Sequence, residues 1–258
     1  MKKKLEGVKL LIVPFLGFAG SGKTSLTKTF GQFLADEGYK VKIVNLDPGV
    51  EELPYKPDFD VRDLFTISKI MREEGVGPNL AMLRASERIL NAFDHVASKI
   101  SEGDCDFALV DTPGQLEIFA FREVGSEFMR RLRELTRVCG VFLIGCDVAS
   151  TVSRLVVALF VGLAVQLSLG VEAVIVLHKS DMDKEGRIRK LISDEKLLRR
   201  ELMRETGVMV DVALVALDVL GKVKPATRII PTSSVTLEGH EELFEILHEV
   251  FCACGDNL

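Results

Sequence analysis

The sequence predicts a three-layer α/β fold, a mostly parallel sheet flanked by helices, on three observations. Short apolar runs alternate with helical patterns, as strands joined by crossover helices do. The runs lack polar–apolar alternation, the mark of strands buried on both faces. A glycine-rich turn, GFAGSGKT, follows the first run and opens a helical stretch, as in a strand–turn–helix unit.

The strand candidates, in order, are Leu10–Leu16, Val41–Leu46, Phe107–Val110, Val141–Ile144, Ala173–Leu177 and Arg228–Ile230. Pro14 lies inside the first and cannot donate to a ladder, so a local irregularity is expected there. Two helical insertions interrupt the alternation. The first spans about residues 48–106. In it Asp60 is placed to cap a helix with Asp63 at its third position, and Val61, Leu64, Phe65, Ser68 and Met71 follow helical spacing up to Gly75. Gly77-Pro78-Asn79 then reads as a turn: Pro78 excludes Gly77 from the helical region, and Asn79 is a favoured cap for the next helix. Leu80, Leu83, Leu90, Phe93, Ala97 and Ile100 form that helix's stripe. The second insertion, about 183–226, carries a basic amphipathic helix through RIRKLISDEKLLRRELMRE, whose mixed charges suit a solvated face. With no internal repeat or low-complexity linker, residues 1–258 read as a single domain.

Composition narrows the function. Apolar residues at 47% supply a sizeable core, and 28% charged residues fit a folded chain. A net charge of −5 gives no general attraction for nucleic acid. The five cysteines are unevenly spaced and imply no disulfide framework; Cys252 and Cys254 read as ordinary rather than metal-binding without a partnering pair. The basic, apolar start imitates a secretory leader, yet it runs unbroken into GSGKTS. Residues 155–177 are long enough to span a bilayer, but Gln166, Ser168, Gly170 and Glu172 interrupt them. A buried helix, a Gly170 stop and a central strand explain that segment better. The expectation is a cytoplasmic protein with no membrane contact and no direct nucleic-acid partner.

The chemistry concentrates at strand ends. Gly17, Gly20, Ser21, Gly22, Lys23, Thr24 and Ser25 form a P-loop: backbone N–H groups curl around phosphates, Lys23 reaches the outer phosphates and Thr24 ligates Mg²⁺. In FALVDTPGQ, Asp111 ends a strand and can hold Mg²⁺ through water, Gly114 can offer its N–H to a γ-phosphate, and Gln115 can orient the attacking water. Asp47, after the second strand, points toward Mg²⁺-bound or attacking water. VIVLHKSD resembles the guanine motif N/T-K-x-D. Asp181 there can accept N1–H and the 2-amino group of guanine, neither of which adenine has. The Lys179 stem can lie along the base. His178 stands where Asn or Thr is usual, which leaves open whether that position meets the base edge or the P-loop. Ser233 and Ser234 follow the last strand, where backbone N–H groups can meet guanine O6.

The order GFAGSGKT, NLDP, GPN, DTPGQ, HKSD, PTSS covers most of the chain and closely resembles the GPN-loop GTPases, a branch of the dimeric P-loop class. That resemblance implies a homodimer using GTP/GDP and Mg²⁺ with slow hydrolysis. It also implies that Gly77, Pro78 and Asn79 face the γ-phosphate of the other subunit, with Asn79 joining Lys23, Asp47 and Gln115 as catalytic groups. Phe18 occupies the place of the signature lysine of MinD-like relatives. Eukaryotic relatives are linked to RNA polymerase II assembly, so polymerase subunits are candidate clients. The rival readings are a metallochaperone NTPase, a nucleotide-gated scaffold with little catalysis, and a MinD-like ATPase.

Overall fold

The computed structural model describes residues 10–149, 151–207, 210–222 and 229–253, with side chains through 249. The elements run β1 (Leu11–Gly17), α1 (Lys23–Asp36), β2 (Val41–Asn45), β3 (Phe59–Asp60), α2 (Ile67–Glu74), α3 (Pro78–Asn91), α4 (Phe93–Ser101) and β4 (Phe107–Asp111). They continue with α5 (Leu116–Phe119), α6 (Glu123–Leu135), β5 (Arg137–Val138), β6 (Gly140–Gly145), α7 (Val152–Leu169) and β7 (Ala173–His178). The last are α8 (Arg187–Ser193), α9 (Glu195–Leu202), α10 (Val210–Lys222), β8 (Ile230–Thr232) and α11 (His240–Ala253).

All strand pairs are parallel, in the order β3-β2-β4-β1-β6-β7-β8, with β5 also beside β1. Two apolar layers explain why the strands read as unbroken apolar runs. Leu11, Val13 and Phe15 of β1 pack with Leu26 and Phe30 of α1 and Leu243 and Leu247 of α11. Ile12 and Leu16 point the other way, into the layer built with the remaining helices.

The expected irregularity at Pro14 is present. The Cys139 N–H donates to Ile12 O at 3.0 Å, so by the two-residue period Pro14 presents its missing donor to that same neighbour. There the neighbouring strand divides into β5 and β6. Register is kept across the gap, since Ile12 faces Val138 and Phe15 faces Val141. The last strand is Ile230–Thr232 rather than Arg228–Ile230, and Arg228 lies outside the described residues. Cys254 and the Cys252 side chain also lie outside them.

The insertions differ from expectation in where their helices break. Asp60 caps only a 3₁₀ turn, Val61–Asp63, and α2 starts afresh behind Thr66, whose hydroxyl accepts from the Lys69 N–H at 3.2 Å. Gly75 ends α2 at φ 66°, as anticipated. The next helix begins at Pro78 with Gly77 as its cap, so Asn79 sits inside the first turn. Proline suits the first helical position because that N–H has no partner in any case. A break at Ala92 separates α3 from α4, and the buried stripe is Ala81, Ala85, Ile89, Phe93, Val96 and Ile100, with Leu80 exposed. The basic helix is likewise two: the Asp194 carboxylate caps α9 through the Leu197 N–H at 3.0 Å and so ends α8. α7 is long and apolar enough to cross a membrane, but 44% of it is buried here, and Gly170 stops it at φ 62°.

One contact fixes α5, which continues from the Asp111–Gln115 segment, against α6. A Cβ on Gly125 would stand 1.9 Å from the Phe119 carbonyl oxygen, a backbone atom that cannot swing aside. Gly125→Ala is therefore expected to destabilise the fold by about 1–3 kcal/mol, read from the denaturant midpoint.

Candidate nucleotide site

Parallel register brings the motif residues to one edge. Phe15 faces Asp111, Gly17 faces Leu143, and Gly145 faces His178, so the P-loop, the Asp111 segment and the His178 segment leave the sheet side by side. Ligands bind beyond such carboxyl ends.

The P-loop turns from β1 into α1 through Gly20 and Gly22, at φ 73° and 97°. Gly22 has a second reason to lack a side chain: a Cβ would meet His178 Cδ2 at 2.4 Å. Lys23 is 6% exposed, and its Nζ donates to Gly17 O and Phe18 O at 3.1 Å each. Burial lowers its pKa, against the opposing pull of Asp111 and Asp47. Reaching a phosphate requires Nζ to exchange those carbonyl bonds for phosphate oxygens.

Asp111 is 1% exposed and takes a hydrogen bond from the Tyr55 hydroxyl at 2.8 Å. Burial pushes its pKa up to about 6, while the Tyr55 and Thr24 hydroxyls and the Lys23 charge act the other way. Its Oδ1 is buried with no hydrogen-bond partner. A buried acceptor lacking a donor, with the Thr24 hydroxyl adjacent, fits a hard cation that seeks oxygen. Among the described residues no three His, Cys, Asp or Glu side chains converge on a metal. Mg²⁺ suits such a sparse set, because it keeps waters and shares phosphate oxygens. Thr24 and Asp111 would hold it.

Asp47 is fixed from several directions. Its N–H donates to Asn45 Oδ1 at 3.0 Å, its Oδ1 accepts from the Gly49 N–H at 2.9 Å, and its Oδ2 accepts from the Gly114 N–H at 3.1 Å. The Gly114 amide, expected to meet a γ-phosphate, thus points at Asp47, and that bond must yield if it is to serve phosphate. Asn45 in turn donates to Asp60 Oδ1 at 2.9 Å, and Asp60 is gripped by Arg62. Gln115 caps α5 and is half-buried beside Gly114.

The HKSD and PTSS segments are equally ordered. His178 is 2% exposed and its ring nitrogens meet the Thr232 hydroxyl at 2.9 Å and the Ser234 hydroxyl at 3.2 Å. Burial pushes its pKa down to about 4, aided by His240 and Lys179. At the position left open by the sequence, the His178 ring lies against the P-loop at Gly22. Lys179 adopts φ 60° and pairs with Asp147 at 2.8 Å. Asp181 Oδ1 accepts from the Ser233 hydroxyl at 2.5 Å. The Ser233 N–H donates to Glu238 O, and those of Val235 and Thr236 to Ser233 Oγ. The Ser233 hydroxyl thus orients Asp181, while its own amide is committed to the Glu238 carbonyl. The Ser234 hydroxyl is engaged with Thr29 and His178.

Gly77, Pro78 and Asn79 are exposed, and no hydrogen bond among the described residues joins Asn79 to the P-loop, Asp47 or Asp111. Sequence reasoning missed Asn45, Tyr55, Asp147 and Thr232. A polar Asn closing the apolar run VKIVN was a usable signal; Tyr55 and Asp147 act across the fold and left none.

This parallel sheet, with its glycine loop at a strand–helix junction and a carboxylate on the adjoining strand, defines a P-loop NTPase. A family described as a conserved hypothetical ATP binding protein matches residues 15–253. A GPN-loop GTPase of Pyrococcus abyssi is 37% identical over 251 residues, 95% of this chain and 99% of that one. The crystal structure of that archaeal GTPase in its apo form superposes with a TM-score of 0.85 at 36% identity, covering 95% of this chain and 98% of the other. GPN-loop GTPase 1 of Schizosaccharomyces pombe is 26% identical over 195 residues, 75% of this chain and 53% of its own length. The chain belongs to the GPN-loop GTPase family.

The buried carboxylate gives a pH-dependent prediction. A pKa raised in the fold means the folded state holds a proton that the unfolded state has lost between about pH 4 and 6. Stability therefore falls as pH rises through that window. Asp111→Asn, which keeps an acceptor for Tyr55, should stabilise the nucleotide-free protein at pH 7.5 by on the order of 2 kcal/mol. The gain should shrink toward pH 5 in thermal melts.

Proposed function

We propose that this chain binds and hydrolyses GTP with Mg²⁺ as a slow switch, and that two copies pair so that Asn79 of one completes the site of the other. The observation that carries the guanine half is Asp181, oriented by Ser233 in the same row of strand ends as the P-loop. A fixed carboxylate satisfies guanine N1–H and the 2-amino group, while adenine leaves it unpaired, a discrimination worth several powers of ten in buried polar sites.

Phosphoryl transfer to water asks mainly for charge neutralisation and positioning. Lys23 and the P-loop amides take the phosphate charge. Mg²⁺, when bound, would add charge neutralisation, and Thr24, Asp111 and Asp47 are the residues that would hold it. Gln115 and Asp47 align the attacking water. Asn79 is suited to a role in trans because it is exposed on a rigid helix start, where proline fixes the backbone. A neutral carboxamide orients a water or oxygen but does not replace an arginine's charge, so turnover is slow. Family resemblance supports a role in assembling or maturing a protein complex, such as an RNA polymerase, in the cytoplasm.

Mixing variants tests the trans arrangement. Asn79→Ala should lower kcat at least about ten-fold, and Lys23→Ala should abolish it. When the two are mixed and allowed to exchange subunits, the intact P-loop of the first meets the intact Asn79 of the second. GTP hydrolysis should then rise above that of either variant alone. A mixture no more active than its components would place Asn79 at its own subunit's site or outside the chemistry.

A further inference from the structure

The helical insertion after β7 reaches into the base-recognition segments through one side chain. Arg189, on α8, forks onto Glu238, with one nitrogen 2.5 Å from Oε1 and the other 2.8 Å from Oε2. The second nitrogen also donates to Ser180 O at 3.1 Å. Glu238 additionally accepts from the Ser180 hydroxyl at 2.7 Å, and its carbonyl takes the Ser233 N–H at 3.1 Å. Ser233 is the residue that orients Asp181. The fork therefore closes a ring: Asp181 and Ser180 on one turn, Ser233 and Glu238 on the other, with Arg189 across both.

The backbone marks the same two turns. Lys179 at φ 60° and Leu237 at φ 61° are the non-glycine residues with left-handed conformations among those described. Each lies next to a member of the ring. Such conformations persist only where surrounding contacts over-determine them, and they gather at ligand clamps. Arg189 is itself anchored, since Asp183 accepts from the Ile188 and Arg189 N–H groups at 3.2 and 3.0 Å. Arg189 and Glu238 are 36% and 38% exposed, so their pairing adds little to global stability, whereas its two-point geometry fixes orientation.

We infer that Arg189 is a positioning residue for guanine recognition, acting through Glu238 to hold the Asp181 and Ser233 turns in register. This rests on the guanine reading of the site. It also makes the insertion a controlling element, because whatever shifts α8 changes guanine affinity and, by reciprocity, guanine nucleotide shifts α8.

The test is calorimetric binding of GDP, ADP and inorganic pyrophosphate to the full chain and to Arg189→Met, Glu238→Gln, Arg189→Lys and Asp181→Asn. Arg189→Met and Glu238→Gln should each weaken GDP roughly five- to ten-fold while leaving pyrophosphate within about two-fold. Arg189→Lys should recover part of the loss. A merely structural role would instead weaken GDP and pyrophosphate together and overturn the inference. So would unchanged GDP affinity in both variants while Asp181→Asn loses it. A native chain that binds ADP as well as GDP would fail the guanine reading itself, a result separable because it appears before any substitution.

Discussion

Parallel pairing of β1 with β4 on one side and β6 on the other is the constraint on which the rest of the molecule depends. In a parallel sheet every strand ends at the same edge, so fixing Phe15 opposite Asp111 and Gly17 opposite Leu143 fixes what emerges beside what. The P-loop, the Asp111 carboxylate and, through β6 and β7, the His178 turn inherit their relative positions from that register. A slip of one residue would turn every apolar side chain of β1 to the opposite layer. The two apolar layers that hold the register also hold the site.

Several polar residues at that edge, buried or half-buried, tie one motif to another. His178 lies beneath Gly22 and meets hydroxyls from the last strand segment. Thr29 of α1 joins Ser234 and His240 in the same chain of hydrogen bonds. Asp47 holds the Gly114 amide. Buried polar groups are costly unless satisfied, so such cross-links leave few alternative arrangements of the loops. They also bring the P-loop and α1 into contact with the His178 and Ser234 segments.

Much of the fold was legible in the sequence because two-sided burial writes itself as uninterrupted apolar runs. Gly75 and Gly170 also announced their helix ends through the conformation only glycine adopts cheaply. The helix starts were less legible. Asp60 looked like a helix cap and caps a 3₁₀ turn, while Thr66, an equally ordinary residue, does the capping of α2. At Pro78 the preference of proline for the first helical position outweighed the capping preference of Asn79. The candidate site was legible as motifs and not as contacts. HKSD left both a base-edge and a P-loop contact open for His178, and nothing in Ser233 foretold that its amide would be committed to Glu238. Those outcomes depend on segments far apart in the chain.

The central claim is that this edge recognises a guanine nucleotide through Asp181, and substrate preference tests it most directly. Hydrolysis of GTP, ATP and xanthosine triphosphate should be compared for the native chain and for Asp181→Asn, whose carboxamide would present a donor in place of one acceptor oxygen. The account predicts that the native chain prefers GTP and that the variant shifts its preference to the xanthine nucleotide, whose 2-oxo group accepts that donor. A native chain using ATP as readily as GTP, or a variant whose preference does not move, would contradict it.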